Sequence, residues 1–421
     1  MLKSGVAVFV PLLFISTCLT FMFIFSPKTI EYEYKESNYK NLKDNNILFL
    51  VSHDNSNTGA PIVLYNLFKF FIKKNYRSKL VVLHNTTGEN SIMQDYVVKK
   101  SYQSLIDYAL DECVDWSTDN QSKDYQVEQR KGVIYKCKPI ILVNSIINFD
   151  LIEYLVTNNY EFDIYFIIHE WLDETSAAGF PFKVEILQSD RVKKIVLPCQ
   201  KAIENWNFNT GKEVAIKYTY TSEELQKKFT QYPYFNITST YGIDKASVVI
   251  SMIGTVDRRK SQVEFIKNVF VRILKEEKNV KLFLVGRVIH HFPEVLELLL
   301  DTQVIYYGKI FIIGEVQNPL SIISQSDIIL SYSKNEVMPL NIIESMFLSK
   351  PVVSSNAGCC SELITKNDNG FIFYNESEVE RVLLSLIRNK DERKRLGDNG
   401  YKKFLLDHSE RNYELYFDFF K

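Results

Sequence analysis

Two glutamates flank a proline in the stretch NEVMPLNIIESM, residues 335–346. Pro339 suits the first turn of a helix, because its missing N–H would have no partner there in any case. The sequence therefore predicts Glu336 in the loop before a helix and Glu344 two turns along it. The free N–H groups of the first turn can bind phosphate, and the two carboxylates can accept hydrogen bonds from sugar hydroxyls. Taken alone, the same spacing also fits an ordinary helix with one partly buried, capped glutamate.

Apolar runs of strand length alternate with longer amphipathic runs over most of the chain. Near-continuous apolar strands separated by helices are typical of parallel sheets that helices cover on both faces. The sequence therefore predicts an α/β fold with two tandem, doubly wound Rossmann-like domains, whose strand ends face a common cleft where ligands bind. The predicted strands of the first domain contain ILFLVS, KLVVLH, PIILVN, DIYFIIHE and KKIVLP, and those of the second contain SVVISMIG, VKLFLVG, QVIYYG, SDIILSYS, KPVVSS and NGFIFY.

Charge and cysteine content narrow the classes of function. The 51 acidic and 50 basic residues nearly cancel, and the lysines are scattered, so no nucleic-acid partner is expected. The six cysteines form no CxxC pair, and their separations fit neither a zinc site nor a dense disulfide framework. A Cys113–Cys137 bridge is left open, whereas Cys359 and Cys360 are predicted to be packing thiols, because adjacent residues do not readily pair with each other. The histidines other than His169 lack carboxylate partners at ligand spacing, so no metal is predicted.

The stretch from Val6 to Phe25 is free of charge and twenty residues long, which matches a bilayer core of about 30 Å. We interpret it first as an uncleaved signal-anchor and second as a signal peptide. Lys3 favours a cytosolic N-terminus and a lumenal remainder, although the lysines that follow, Lys28 among them, argue against that orientation. The prediction is a single-pass type II membrane protein of the Golgi or endoplasmic reticulum, with which four N-x-S/T sequons are compatible.

The longer stretch SDIILSYSKNEVMPLNIIESMFLSKPVVSSNAGCCSELI resembles the donor-site signature of GT-B glycosyltransferases of family 4, the glycosyl transferases group 1. That signature has two glutamates separated by seven residues, then a PVV strand and a loop that ends in glutamate. Glu336, Glu344 and Glu362 match it by position. The resemblance implies that Glu336 contacts the donor sugar and that Glu344 holds the ribose hydroxyls of the nucleotide. A nucleotide ligand would account for a charge within so apolar a helix.

The stretch ISMIGTVDRRKSQVEFIKN resembles the strand, glycine turn and basic loop with which the second domain of this family begins. Arg259 and Lys260 match the basic pair that would neutralise the diphosphate leaving group, through charge-assisted hydrogen bonds of about 1.5–3 kcal/mol each. The chain departs from the commoner pattern at Thr255, where many members have arginine, and at Ser261, where glycine is usual. The other positions predicted to bind substrate here are Gly254, Gly286, Pro339 and Leu340.

The stretch LFLVSHDNSNTGAPIVLYNL resembles the opening strand, glycine loop and helix of the family's first domain. Gly59 would let the backbone approach a ligand closely, although an ordinary strand-to-helix connection fits it as well. His169 falls where a predicted strand ends at the cleft. The resemblance implies a neutral imidazole there that hydrogen-bonds a hydroxyl or phosphate of the donor. The alternative for His169 is a hydrogen bond to a backbone carbonyl.

The resemblance covers most of residues 46–400 and implies that the two domains bind different substrates. The predicted boundaries are a transmembrane signal-anchor at 6–25, a stem at 26–44, an N-terminal acceptor domain at 45–218, a linker at 219–246, a C-terminal nucleotide-sugar-binding domain at 247–400 and a C-terminal helix at 401–421.

The implied function is that of a retaining hexosyltransferase, which moves a sugar from a nucleoside diphosphate donor to a hydroxyl of a glycan, lipid or protein. No cofactor or metal is expected, because cationic side chains can stabilise the leaving group. Two alternatives stay open, the first of them because Thr255, Ser261 and Cys359 depart from the family pattern. They are a non-catalytic module that binds nucleotide or glycan, and a nucleotide-sugar epimerase or hydrolase. The sequence identifies neither the donor nor the acceptor.

Overall fold

The computed structural model describes residues 46–55, 59–84, 93, 96–113, 137, 139–172, 183–288 and 293–420, all within one compact unit, Asn41–Lys421. The predicted signal-anchor at 6–25 and stem at 26–44 lie outside the described residues and stay predictions. Within the described ranges, no helix is both long and apolar enough to cross a bilayer.

The first lobe is built on a parallel sheet whose strand interiors are almost fully buried. Its described strands are β1 Leu48–Asp54, β2 Ser78–His84, β3 Tyr96–Val98, β4 Ile140–Asn144, β5 Asp163–Ile167, β6 Val192–Leu197 and β7 Glu213–Ala215. They are arranged in the order β3–β2–β1–β4–β5–β6–β7. Successive strands are added on one side of β1 up to β3 and on its other side from β4 onward. A crevice therefore opens at the carboxyl ends of β1 and β4, where the order of strands switches.

The second lobe repeats this architecture with a second parallel sheet. Its described strands are β8 Val248–Ile253, β9 Val280–Val285, β10 Ile310–Gly314, β11 Ile328–Ser331, β12 Val352–Ser355 and β13 Gly370–Phe373. The order β10–β9–β8–β11–β12–β13 places the switch point between β8 and β11. The prediction of two doubly wound parallel sheets is therefore confirmed. The short edge strands β3 and β7 were not predicted.

Helices cover both faces of each sheet and also connect the lobes. The described α-helices are α1 Gly59–Lys73, α2 Tyr102–Asp111, α3 Phe149–Thr157, α4 Val184–Leu187, α5 Gln200–Trp206, α6 Ser222–Gln231, α7 Ile237–Tyr241, α8 Gln262–Phe265, α9 Val271–Glu276, α10 Pro293–Ile305, α11 Pro319–Gln325, α12 Leu340–Phe347, α13 Cys360–Leu363, α14 Glu376–Arg388, α15 Lys390–Asp407 and α16 Arg411–Phe419. A 3-10 helix at Ile146–Asn148 precedes α3, and a π-helix at Ile266–Phe270 joins α8 to α9. The segment between β7 and β8 contains α6 and α7.

The C-terminal helix α16 packs on the first lobe although it follows the second lobe in sequence. Tyr413 and Tyr416 are buried in the core that α1 forms with the first sheet. The ring of Tyr413 lies 4.9 Å from that of Phe70, and the hydroxyl of Tyr165 donates to the carbonyl of Phe419 at 2.6 Å. The end of the chain therefore ties the second lobe back to the first.

One predicted strand is wrong. The stretch QVIYYG, residues 303–308, forms the end of α10 and the turn after it, and the strand of this region is β10 instead. Val304, Ile305 and Tyr307 are 75%, 70% and 89% exposed. Their β-branched and aromatic side chains favour a strand locally, but the burial of Ile310 in the core of the second lobe selects the later segment.

Candidate functional site

The floor of the site is formed where β8 and β9 end at Gly254 and Gly286. Gly286 has a φ of +148°, and a Cβ atom on it would lie 2.1 Å from the carbonyl oxygen of Gly254. No side chain fits there, so these two glycines let neighbouring strands turn in close contact. A Cβ on Gly254 would lie 3.5 Å from Cε of Lys260. The side chain of this lysine therefore lies over the end of β8.

Lys260 and Arg259 converge on Glu336 at the switch point of the second sheet. Nζ of Lys260 forms an ion pair with Oε1 of Glu336, and Nη1 of Arg259 lies 3.5 Å from Oε2. The hydroxyl of Ser333 also donates to Oε1, at 2.8 Å. Burial opposes the charge on Glu336, but Lys260 and Arg259 outweigh it and lower the pKa of this carboxyl. The site therefore holds an ionised carboxylate between two cations.

The loop that carries Glu336 is fixed from both lobes. A Cβ on Gly358, whose φ is +51°, would lie 1.5 Å from the carbonyl oxygen of Glu336, so the two backbones touch. Cys359 N–H donates to the carbonyl of Val337 at 2.8 Å. From the first lobe, Nε1 of Trp171 donates to the carbonyl of Glu336 at 2.7 Å. The position of this glutamate thus depends on the contact between the lobes.

The sequence predicts the helix α12, which begins at Leu340 with Pro339 as its N-cap rather than within its first turn, and Glu344 lies on its buried face. The side chain of Asn341 donates to the carbonyl of Ile253 at 2.7 Å, which holds the first turn of α12 against the end of β8. Pro339 and Leu340 therefore lie at the same edge of the sheet as Gly254. The carboxylate of Glu344 pairs with Lys228 of α6, with Nζ 2.6 Å from Oε1.

His169 is buried at the end of β5, and both nitrogens of its ring have partners. The side-chain amide of Asn144 donates to the carbonyl of Ala60, so its oxygen faces Nε2 of His169 as an acceptor at 2.6 Å. The hydroxyl of Tyr218 donates to Nδ1 at 2.5 Å. Burial, and secondarily the nearby His53, lower the pKa of His169 to about 3. The imidazole is neutral, and a ligand would have to displace one of these two hydrogen bonds.

Glu362 and Gly59 lie in different settings from those of the central cluster. The carboxylate of Glu362 accepts hydrogen bonds from the backbone N–H groups of Gln200 and Lys201, at 3.3 and 2.9 Å, and so caps α5 of the first lobe. Gly59 is the first residue of α1, and a Cβ on it would meet no described atom within 4 Å. Glu362 thus contributes to the contact between the lobes, and the ligand role of Gly59 stays a prediction.

The prediction that Cys359 is a packing thiol is wrong. It forms a disulfide with Cys199, 160 residues away, which joins the start of α5 to the loop before α13. Cys359 pairs with a cysteine of the other lobe rather than with its sequence neighbour Cys360, so spacing alone does not reveal this disulfide. Cys113 and Cys137 also form a disulfide, the option that the sequence left open. Among the described cysteines, Cys360 is free and buried, and burial raises the pKa of its thiol to about 12.

Sequence reasoning missed several residues of the site. Ser333 stands three residues before Glu336 and Trp171 two residues after His169, so a search around each predicted residue would have found both. Tyr218 and Lys228 are distant in sequence from the groups that they contact and give no local signal. Across the described ranges, no group of three or more potential metal ligands occurs.

Comparison with known proteins finds partial similarity in sequence. Residues 235–403 match the family model described as glycosyl transferases group 1. A curated relative, trehalose synthase of Pyrococcus horikoshii, is 22% identical over 205 residues, which is 46% of this chain. That match spans 49%, about half, of the length of the relative.

Solved structures resemble nearly the whole chain at low sequence identity. HepE of Anabaena in complex with UDP-glucose has a TM-score of 0.67 at 13% identity, covering 89% of this chain and 98% of that one. Sucrose-phosphate synthase of Thermosynechococcus elongatus has a TM-score of 0.64 at 13% identity, covering 89% and 99%. S. aureus TarM, in complex with fondaparinux, α-GlcNAc-glycerol and UDP, has a TM-score of 0.63 at 13% identity, with the same coverage. These likenesses establish the GT-B fold, and the family model places the group 1 glycosyl transferase pattern in the lobe that carries Lys260, Glu336 and Glu344.

Proposed function

We propose that this protein is a retaining glycosyltransferase that moves a sugar from a nucleoside diphosphate donor to a hydroxyl acceptor. The observation that carries the proposal is the convergence of Lys260 and Arg259 on Glu336 at the switch point of the second sheet, inside the segment that matches the family model. This is where open parallel sheets bind their ligands. Two cations over a glycine floor suit a diphosphate, since charge-assisted hydrogen bonds to phosphate are strong and directional.

In this proposal the donor exchanges charge partners with the protein. Glu336 neutralises Lys260 and Arg259 when no donor is bound, and the diphosphate takes over these cations when it enters. The first turn of α12, which follows Pro339 and begins at Leu340, adds backbone N–H groups from Leu340 onward to the same anion site. Glu336 is then free to accept hydrogen bonds from the sugar, and Glu344 from the ribose.

Charge develops on the departing diphosphate during transfer, so groups that are preorganised around it lower the barrier most. Lys260 and Arg259 supply this stabilisation, and we expect no divalent metal to be required. His169 stays neutral, and it contacts the donor by exchanging its hydrogen bond to Asn144 or Tyr218 for one to the donor. The acceptor occupies the crevice of that lobe near Gly59, where closure of the cleft excludes water that would otherwise hydrolyse the donor.

UDP-sugars are the first donors to test, because HepE was solved with UDP-glucose and TarM with UDP. The full chain, purified in detergent, is incubated with UDP- and GDP-sugars and a panel of hydroxyl acceptors. We expect nucleoside diphosphate release that depends on acceptor, and a product that keeps the anomeric configuration of the donor by NMR. Lys260→Met should lower kcat by about 100-fold, the cost of losing one preorganised electrostatic contact.

Each other outcome identifies a different activity. Nucleotide binding without release would indicate a binding module, and free sugar or a new isomer without acceptor would indicate a hydrolase or epimerase. An unchanged kcat in Lys260→Met would contradict the proposal that Lys260 binds the diphosphate.

We further propose that residues 6–25 anchor the chain in the endoplasmic reticulum or Golgi membrane, with the catalytic lobes in the lumen. Two disulfides among the described residues support an oxidising compartment. Protease treatment of intact microsomes tests this orientation, since lumenal lobes should be protected until detergent is added.

A further inference from the structure

The two carboxylate oxygens of Glu344 differ in their hydrogen bonding. The residue is only 4% exposed, within a helix face that packs Ile342, Ile343 and Met346 into the core. Oε1 accepts a hydrogen bond from Nζ of Lys228 at 2.6 Å. No group in the described part of the chain hydrogen-bonds Oε2. One oxygen is therefore held by the protein, and the other is available to a ligand.

Lys228 reaches Glu344 from α6, the helix that lies between the two sheets in sequence. Burial lowers the pKa of this lysine, but Glu344 outweighs burial and the net pKa is raised, so the ammonium keeps its charge. Its Nζ also lies 5.4 Å from the centre of the Tyr220 ring, a cation–π contact. The lysine thus has a fixed position between one carboxylate and one aromatic ring.

Helix α6 is itself held by both lobes. A capping box between Thr221 and Glu224 fixes its start, and Lys69 of the first lobe lies 3.7 Å from Glu224. At its other end, the side chain of Asn318 of the second lobe donates to the carbonyls of Phe229 and Tyr232 at 2.9 and 3.1 Å. The position of Lys228 therefore reflects how the two lobes are placed.

Stability alone gives no reason for a charged pair at this place. A buried ion pair is seldom more stabilising than an apolar pair of the same size, because both charges lose their hydration. Removing one partner is costly, since it leaves the other charge buried without compensation. A carboxylate that must stay ionised and oriented for a ligand does need such a partner.

We propose that Lys228 is a positioning residue of the nucleotide site, which holds Oε1 of Glu344 so that Oε2 accepts a hydrogen bond from the ribose. This inference rests on the proposed function, because it presumes that a nucleoside diphosphate binds at the second lobe. It adds that the affinity for the ribose is set by a lysine from the segment between the lobes. Displacement of α6 would then weaken nucleotide binding without altering any residue that touches the phosphates.

The test compares Lys228→Met and Lys228→Arg with the parent. Isothermal titration calorimetry gives the affinity for UDP and 2′-deoxy-UDP, and steady-state assays give the donor KM and kcat. Lys228→Met should weaken UDP binding by about tenfold, the effect of disturbing one hydrogen bond to a charged group. The donor KM should rise similarly, with kcat changed less than about twofold, since the ribose is held alike in the ground and transition states. Lys228→Arg should restore most of the affinity.

The ribose dependence separates positioning from general damage. Binding of 2′-deoxy-UDP should fall much less in Lys228→Met than binding of UDP, because a hydroxyl that Glu344 holds is absent. Lys73→Met is the matched control. Lys73 pairs with Glu223, which is on α6 as Lys228 is, but Lys73 has no contact with Glu344. It should bind UDP like the parent.

The outcomes also separate this inference from the proposed function. A parent protein that binds no nucleoside diphosphate overturns both. If the parent binds UDP and Lys228→Met binds it with the same affinity, the role of Lys228 is overturned and the proposed function stands. The same conclusion follows if Lys228→Met loses equal affinity for UDP and 2′-deoxy-UDP. Should Lys228→Met lose its cooperative thermal transition, Glu344→Gln carries the test, and equal binding of UDP by Glu344→Gln and by the parent overturns the role.

Discussion

Glu336 and His169 are both buried at the cleft, yet their surroundings hold them in opposite charge states. Glu336 faces Lys260 and Arg259, which keep it ionised. His169 faces an amide, a phenol and a second imidazole, none of which compensates a positive charge. A buried group takes the charge that its neighbours balance. The cleft thus has a charged wall in the second lobe and a neutral wall in the first.

The neutral state of His169 predicts a pH dependence of stability. Its folded pKa of about 3 lies below the unfolded value of about 6.5, so the unfolded chain binds more protons between these pH values. Stability is complete above pH 6.5 and falls as the pH drops toward 3. Between pH 7 and 5 this histidine should account for a loss of about 2 kcal/mol in the free energy of unfolding.

His169→Gln keeps a donor for Asn144 and an acceptor for Tyr218 but does not titrate. Urea unfolding at pH 7 and pH 5 should therefore show a smaller pH effect in this variant than in the parent. His84→Gln, at an exposed histidine, is the control and should behave like the parent. Equal pH effects in His169→Gln and the parent would contradict the assignment of a neutral, buried imidazole.

At the scale of elements, the loops after β11 and β12 meet because Gly358 allows the backbone of Glu336 to approach. Alanine at Gly358 adds the cost of a left-handed backbone, about 1–2 kcal/mol, and a collision that costs about 1–3 kcal/mol. Gly308 has a similar φ, +69°, with open space around it, so Gly308→Ala should show the backbone cost alone. Denaturant unfolding measures both variants. A smaller loss in Gly358→Ala than in Gly308→Ala would mean that the loop is not held by this contact.

The sequence predicts elements that depend on local pattern and misses contacts that depend on the fold. The apolar runs of β8 and β11 and Pro339 before α12 are local signals, and the structure confirms these elements. The stretch QVIYYG was wrongly predicted as a strand, because its side chains favour a strand locally while packing in the core places the strand at β10 instead. Lys228 and Glu344 are 116 residues apart, and Cys199 and Cys359 are 160 apart. Pairs at such separations leave no periodic trace in the chain, so only the folded structure brings them together.

At the scale of the whole molecule, a covalent bond joins the lobes across the cleft. Cys199–Cys359 closes a loop of 160 residues and Cys113–Cys137 one of 24. Chain entropy predicts stabilisation of about 5 kcal/mol for the first and about 3 kcal/mol for the second. The first bond also restrains how far the cleft opens, whereas both cysteines of the second belong to the first lobe.

Removing each bond should therefore have different effects. Cys199→Ala with Cys359→Ala should lower the melting temperature and increase the radius of gyration by small-angle X-ray scattering. Cys113→Ala with Cys137→Ala, the control, should lower the melting temperature and leave the scattering unchanged. If neither pair alters the scattering, Glu362, Trp171 and α16 suffice to hold the lobes.

The bridge between Cys199 and Cys359 also determines what a single cut in the main chain can do. The connection between the sheets, residues 216–247, lies inside the loop that this bond closes. A protease that nicks it yields two polypeptides that stay covalently joined. On a denaturing gel they should migrate together without thiol and separate into two bands once dithiothreitol is added, so an intact mass under oxidising conditions is no proof of an uncut backbone.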